Sequence, residues 1–166
     1  MEARSIEQGW PEPVERVSAT LREAGAEARI EEFSAGTPTA DDAARAVGCE
    51  LRQIVKSVLF KCDGRPVLVL VPGNRRADPG KVAALTGAKR ARVAGPAEVE
   101  DATGFAPGAV APFPLRNVGH VLLDRSLLGE TLLWVGAGTT RHMAGLPATE
   151  LVRVSRAQPV DVVEDT

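Results

Sequence analysis

The chain has two cysteines, Cys49 and Cys62, and two histidines, His120 and His142, in 166 residues. With the histidines so far from the cysteines in sequence, that set does not make a four-ligand zinc site, and no metal is expected. The two thiols read as buried apolar fillers, the usual fate of free cysteine. Long apolar runs are also missing. The longest, Pro66 to Pro72, is strand-sized and far short of a membrane span. The N-terminal stretch Met1-Glu2-Ala3-Arg4-Ser5 leads into charged sequence with no apolar signal core. A cytoplasmic protein with no membrane partner is therefore expected. Excess charge is absent too, since the net value is −2, which argues against a broad basic nucleic-acid surface. A local cluster remains, Arg75, Arg76, Lys81, Lys89, Arg90 and Arg92. It is compatible with contact to one end of an RNA, although such clusters are more often simply solvated.

There is no internal repeat and no low-complexity linker. Hydrophobic residues at 44% and charged residues at 25% are ordinary for a globular chain, and 166 residues suit one domain with a real core. Several catalytic signatures fail. Gly73 and Gly80-Lys81 after an apolar strand resemble a phosphate loop, but six residues separate the glycines and Val82 follows the lysine. A phosphate loop needs four, and a Ser or Thr after its lysine to hold magnesium. Gly136-Ala137-Gly138 has Arg141 where a dinucleotide fingerprint needs its third glycine. No Gly-x-Ser-x-Gly elbow is present. A lone histidine such as His142 is more often structural than catalytic, and it is given no catalytic role.

The pattern of elements is α/β. A helix is expected over Val14 to Ala24, with Val14, Val17, Leu21 and Ala24 on one face and Gly25 as its stop. A short strand, Arg29 to Phe33, precedes a helix over Ala40 to Val47, capped by Thr39 with Asp42 three residues on and ended by Gly48. Strands Ile54 to Lys61 and Pro66 to Val71 flank Cys62-Asp63-Gly64-Arg65, a hairpin signal. Short helices at Pro79 to Leu85 and Pro96 to Ala102 bracket a strand near Arg90 to Val93. Strands are then expected at Val118 to Leu123, at Thr131 to Val135 and after Gly138, with a helix over Pro147 to Val152 and a closing strand over Val160 to Val163. Strands and helices intermix without strict alternation, which favours one mixed central sheet surrounded by helices over a doubly wound parallel fold.

Two segments stand out chemically. In Ile54 to Lys61, period-two alternation places Ile54, Lys56, Val58 and Phe60 on one face, while Val55 and Leu59 make the other apolar as well. A lysine in a strand covered on both sides must reach the sheet edge, find an acidic partner, or line a cavity that admits an anion. Periodicity does not choose among these. The stretch Gly104 to Pro114 is rich in glycine and proline, which permit close backbone approach and fix the turn. Such a loop can present N–H groups to a carbonyl or a water, or be a plain surface turn.

In order and spacing these pieces resemble the YbaK/EbsC family of aminoacyl-tRNA deacylases, related to the editing insertion of bacterial prolyl-tRNA synthetases. The matching segments are Thr37-Pro38-Thr39, Gln53-Ile54-Val55-Lys56-Ser57, Val67 to Gly73 and Leu85 to Arg92. They continue through Gly108-x-x-x-Pro112-Phe113, Val121-Leu122-Leu123-Asp124 and Gly136-Ala137-Gly138. The likeness spans roughly Ser34 to Val163, and Pro114 stands where relatives often carry glycine. The resemblance implies a single-domain mixed sheet with a core from about 34 to 163 plus the N-terminal helix 14 to 24, needing no metal or cofactor. It implies hydrolysis of the ester of mischarged tRNA, of the Cys-tRNA(Pro) or Ala-tRNA(Pro) type. Lys56 would hold the terminal nucleotide or aminoacyl group. Gly108, Ala109, Val110, Ala111, Pro112 and Phe113, with Gly138, would bind substrate, the loop backbone placing the ester and a water. The partners implied are the acceptor end of mischarged tRNA and prolyl-tRNA synthetase. An activated ester needs no protein nucleophile, because positioning and electrostatics can supply the rate. A non-catalytic module that captures tRNA or a synthetase, and a small-molecule esterase, are the rival readings.

Overall fold

A computed structural model describes residues 9–165; the N-terminal stretch read above as lacking a signal core lies outside the described residues. Helix α1 (Glu12–Glu23) buries Val14, Val17 and Leu21, three of the four positions the periodicity picks out. Strand β1 (Arg29–Glu32) follows, then α2 (Ala40–Val47), whose Thr39 cap accepts the Asp42 N–H and whose Gly48 ends it in the left-handed conformation, φ 73°. The hairpin β2 (Val55–Cys62) and β3 (Arg65–Pro72) pairs antiparallel from Val55↔Pro72 to Cys62↔Arg65. Asp63 and Gly64 both take positive φ, 50° and 83°, as a two-residue turn matched to strand twist requires. Next come α3 (Pro79–Thr86), β4 (Ala91–Val93), α4 (Pro96–Thr103), β5 (Val121–Asp124), β6 (Leu133–Gly136), β7 (His142–Leu146), α5 (Ala148–Ser155) and β8 (Gln158–Val160).

The five-stranded sheet has the order β4-β2-β3-β5-β8 and is mixed: β2 pairs antiparallel with β3 and β4, while β3–β5 and β5–β8 are parallel. This is the expected mixed α/β sheet, but it does not take every strand. β1, β7 and β6 form a second, antiparallel sheet of three strands. Its inner residues Ile30, Leu133, Val135, Ala144 and Leu146 pack with Val55, Leu59, Leu68 and Leu70 of the larger sheet and with α1, forming the main core. The opposite face of the larger sheet (Phe60, Val67, Val69, Val71) is covered by Val82 of α3 and by Val162 and Val163. Helix α2 closes the outer face of the small sheet, where Ala43 meets Trp134 and Met143. Each fully buried leucine of this core, such as Leu68, contributes about 2 kcal/mol by leaving water.

The closing strand differs from expectation. It is Gln158–Val160, with Pro159 inside it opposite Leu123. Proline reads as a strand breaker, yet an edge strand tolerates it because no further strand needs its N–H. Val162 and Val163 are buried without joining the ladder, apart from one bridge of Val163 to Ala77.

Candidate active site

A cavity of about 400 Å³ opens where the two sheets diverge. Its walls come from β2 (Val55 to Val58), the loop Gly108 to Val110, the start of α2 with Thr37 and Thr39, and His142 and Met143 of β7. Lys56 therefore shares one cavity with Gly108, Ala109 and Val110. Ala111, Pro112 and Phe113 do not line it; they are buried and anchor the loop in the main core. Gly138 does not line it either. Its φ is +109°, and a Cβ there would lie 2.8 Å from the Pro13 carbonyl carbon and oxygen, so it serves the packing of α1. Gly136 does belong to the wall, where the absence of a Cβ lets the Val110 carbonyl approach to 2.7 Å of the Cβ position.

In the loop, the Ala109 N–H donates to the Ala106 carbonyl at 3.0 Å and closes a turn around Gly108, φ +81°. Among the described residues no acceptor is set against the N–H of Gly108 or Val110. Lys56 sits at the junction of this cavity with a second hollow lined by Asn74, Arg75, Arg76, Glu164 and Asp165. No carboxylate among the described residues pairs with it. Of the three alternatives for this lysine, the acidic partner is absent, and the strand edge and the cavity coincide. Burial, and then the like charge of Arg76, push its pKa below the ordinary lysine value.

Strand geometry also singles out a residue that sequence reasoning quoted but gave no role, Ser57. The Gly73 N–H donates to the Ile54 carbonyl at 2.7 Å towards β3, whereas the Leu59 carbonyl takes the Ala94 N–H at 2.9 Å on the outer flank. Backbone groups alternate in direction along an antiparallel strand, so Ser57, like Leu59, turns its N–H and C=O away from β3. The outer flank is covered at Ile54 by a bridge to Trp134 and at Leu59 by Ala94. Val55 and Ser57 lie between these two with their backbones turned outward, and Ser57 lines the cavity. The Ser57 Oγ is buried and has no hydrogen-bond partner among the described residues. No residue-type signal could have revealed this, because it depends on where neighbouring strands stop.

The other polar groups are engaged. His142 is buried; its Nδ1 shares a 2.5 Å hydrogen bond with Thr139 Oγ1, and its ring meets Trp10 edge-on at 5.5 Å. Asp124 is buried too, accepting the Val162 N–H at 3.1 Å, the Ser126 N–H at 3.2 Å and the Ser126 hydroxyl. The basic cluster splits. Arg75 and Arg76 flank the hollow beside Lys56, and Lys89, Arg90 and Arg92 line a separate one of about 580 Å³ with Lys61 and Asp63. Lys81 is held by Asp161 and Asp165 at 3.1 and 2.7 Å. Cys62 is fully buried, as the filler reading requires, and Cys49 only partly.

The fold and this cavity define a small mixed-sheet α/β protein with a ligand-sized pocket that holds a lysine. Residues 34–154 match the family model of the aminoacyl-tRNA editing domain. The chain belongs to that family. It is 30% identical over 137 residues to the uncharacterized protein YwhH of Bacillus subtilis (82% of this chain, 87% of that one). It is 32% identical over 122 residues to a proline–tRNA ligase of Limosilactobacillus fermentum, covering 70% of this chain but only 21% of the ligase. A solved candidate trans-editing enzyme for prolyl-tRNA synthetase is 37% identical with TM-score 0.88, covering 95% of this chain and 100% of that one.

Proposed function

We propose that this chain is a free-standing editing deacylase that hydrolyses the ester of mischarged tRNA, of the Cys-tRNA(Pro) or Ala-tRNA(Pro) type, in the cytoplasm. The working unit is the whole chain, its core from about 34 to 163 with the N-terminal helix packed on it. The observation that carries the reading is a single cavity shared by an unpaired lysine and the exposed turn at Gly108. A cation without a carboxylate suits an anionic RNA end, and the partly dehydrated setting strengthens its pull. Lys56, at the junction with the hollow lined by Arg75 and Arg76, holds the terminal nucleotide, which leaves the aminoacyl group in the cavity. A water oxygen adds to the ester carbonyl carbon, and the bond to the ribose oxygen then breaks. One water proton ends on that ribose oxygen, and the amino acid leaves as its carboxylate with the other released to solvent. The N–H groups of Gly108 and Val110 are available for the developing oxyanion or the water, and positioning of this kind supplies much of the rate.

The test is single-turnover incubation of the purified protein with a panel of mischarged tRNAs, alone and with prolyl-tRNA synthetase. Loss of ester from Cys-tRNA(Pro) or Ala-tRNA(Pro) is the expected result. Binding without ester loss would make the protein a capture module, and neither would reassign the cavity to another ester.

A further inference from the structure

We infer that the hollow at the tip of the β2–β3 hairpin is a second RNA contact, taking backbone phosphates of the acceptor arm beyond its terminal CCA, an inference that rests on the editing reading. The hollow measures about 580 Å³ and lies between the hairpin turn, the start of α3 and β4. Four cations line it, Lys61, Lys89, Arg90 and Arg92, against one carboxylate, Asp63. That carboxylate is spent on the frame. Its two oxygens accept the Lys89 and Arg90 N–H groups at 2.9 and 3.0 Å, and the Asp63 N–H donates to the Arg90 carbonyl at 3.1 Å. These bonds fasten the loop that carries Lys89 and Arg90 to the turn, so both cations stand on a fixed backbone. Both residues are exposed, and neither has an ion pair among the described residues.

The balance of charge suits an anion. Lys61 and Arg92 face each other across the β2–β4 pair, and like charges so placed cost stability. Glu98 offsets part of that cost, taking two hydrogen bonds of 2.8 Å from Arg92 and feeling the charge of Lys61. One carboxylate for two cations leaves an excess, to which Lys89 and Arg90 add. The chain as a whole carries a net charge of −2, so RNA phosphates are held where cations gather locally. Position favours RNA over a small free anion. Lys61 stands five residues along β2 from Lys56, about 17 Å away. Gly80 lines the far hollow, and its neighbour Lys81 bonds Asp165, which lines the hollow beside Lys56. The two hollows are therefore neighbours on one surface, and an RNA strand that ends at Lys56 can pass the second on its way out.

The experiment uses alanyl esters of an acceptor-arm minihelix and of the CCA trinucleotide, in single turnover with the protein concentration varied. In the combined variant Lys61→Ala, Lys89→Ala and Arg90→Ala, the half-saturating concentration for the minihelix is expected to rise about tenfold or more. The saturated rate and the trinucleotide rate stay as in the wild type. The slope of log affinity against log salt falls by about one for each cation removed. A second variant loses the same charge elsewhere, through Arg22→Ala, Arg125→Ala and Arg153→Ala, which line neither hollow. It is expected to keep its affinity within about threefold, since distant exposed charges are screened. Unchanged minihelix affinity in the first variant, or an equal loss in the second, overturns the contact. An equal loss on the trinucleotide overturns it too, because that substrate does not reach the hollow. Binding of uncharged tRNA, followed by fluorescence anisotropy, separates this contact from the editing reading. A wild-type protein that cleaves neither ester, yet loses tRNA affinity with these three cations, overturns editing and keeps the contact. If the triple variant does not fold by circular dichroism, the exposed pair Lys89→Ala and Arg90→Ala is read in the same way.

Discussion

Asp124 at the end of β5 and Lys56 at the start of β2 are charged groups set into the same sheet, and the chain treats them oppositely. Asp124 is buried and takes three donors, from Val162 and Ser126. It thereby ties the C-terminal segment to the sheet. The Lys56 ammonium has no carboxylate and the neighbouring Ser57 hydroxyl no hydrogen-bond partner among the described residues, and both border a cavity. Buried polar groups are nearly always satisfied within the protein. Both lie at the same end of the sheet, level with Val71 of β3 on either side, and a fold that satisfies one of them and leaves the other beside a cavity marks the second as a place for a ligand.

The contrast breaks most sharply at Lys56. Lys56→Ala is expected to lower single-turnover deacylation about a hundredfold, roughly 3 kcal/mol, with thermal stability unchanged or slightly raised. Lys56→Arg should rescue poorly, since a planar fork does not replace a compact ammonium. Because burial and Arg76 lower the Lys56 pKa, the alkaline limb of the wild-type rate should begin below 10.5 and vanish in the alanine variant. The same shift makes the unfolded chain the better proton binder between the lowered value and the ordinary one. The stability deficit of the buried charge therefore shrinks as pH rises through that window. A folded Lys56→Ala at wild-type rate would sink the site.

Asp124→Ala reverses the pattern. It should cost about 3 kcal/mol in urea unfolding, because the Val162 and Ser126 N–H groups lose their acceptor, while the rate per folded molecule stays near wild type. An equal loss of activity without loss of stability would make Asp124 part of the site. The smallest effect is expected at Ser57. Ser57→Ala removes a buried hydroxyl that has no partner, so the melting temperature should hold or rise, by up to about 1 kcal/mol in stability. A clear destabilisation would mean that the Oγ is satisfied in solution.

Local signals were legible wherever one short stretch settles the outcome. The α2 cap at Thr39, its stop at Gly48 and the Asp63-Gly64 hairpin turn all stand where the sequence places them. Strand β5 starts at Val121 rather than at Val118; Gly119 and His120 intervene, and His120 joins only through its carbonyl, which accepts the Leu68 N–H at 3.1 Å. The Gly108 loop is legible as a loop, but the resemblance extends the binding segment to Ala111, Pro112 and Phe113, which are buried and do not line the cavity. Glycine- and proline-rich composition does not say which part of a loop faces inward.

The sequence by itself determined the mixed α/β class, the hairpin that carries Lys56, and the order of segments that resembles the editing family, since each rests on short-range chemistry or on segment order. Tertiary structure alone decided that β1, β6 and β7 leave the main sheet, that Gly138 packs on Pro13 rather than lining the cavity, and that Ser57 lines the cavity beside Lys56. These depend on which strands lie side by side and where their pairing stops, which long-range packing fixes and no local pattern encodes.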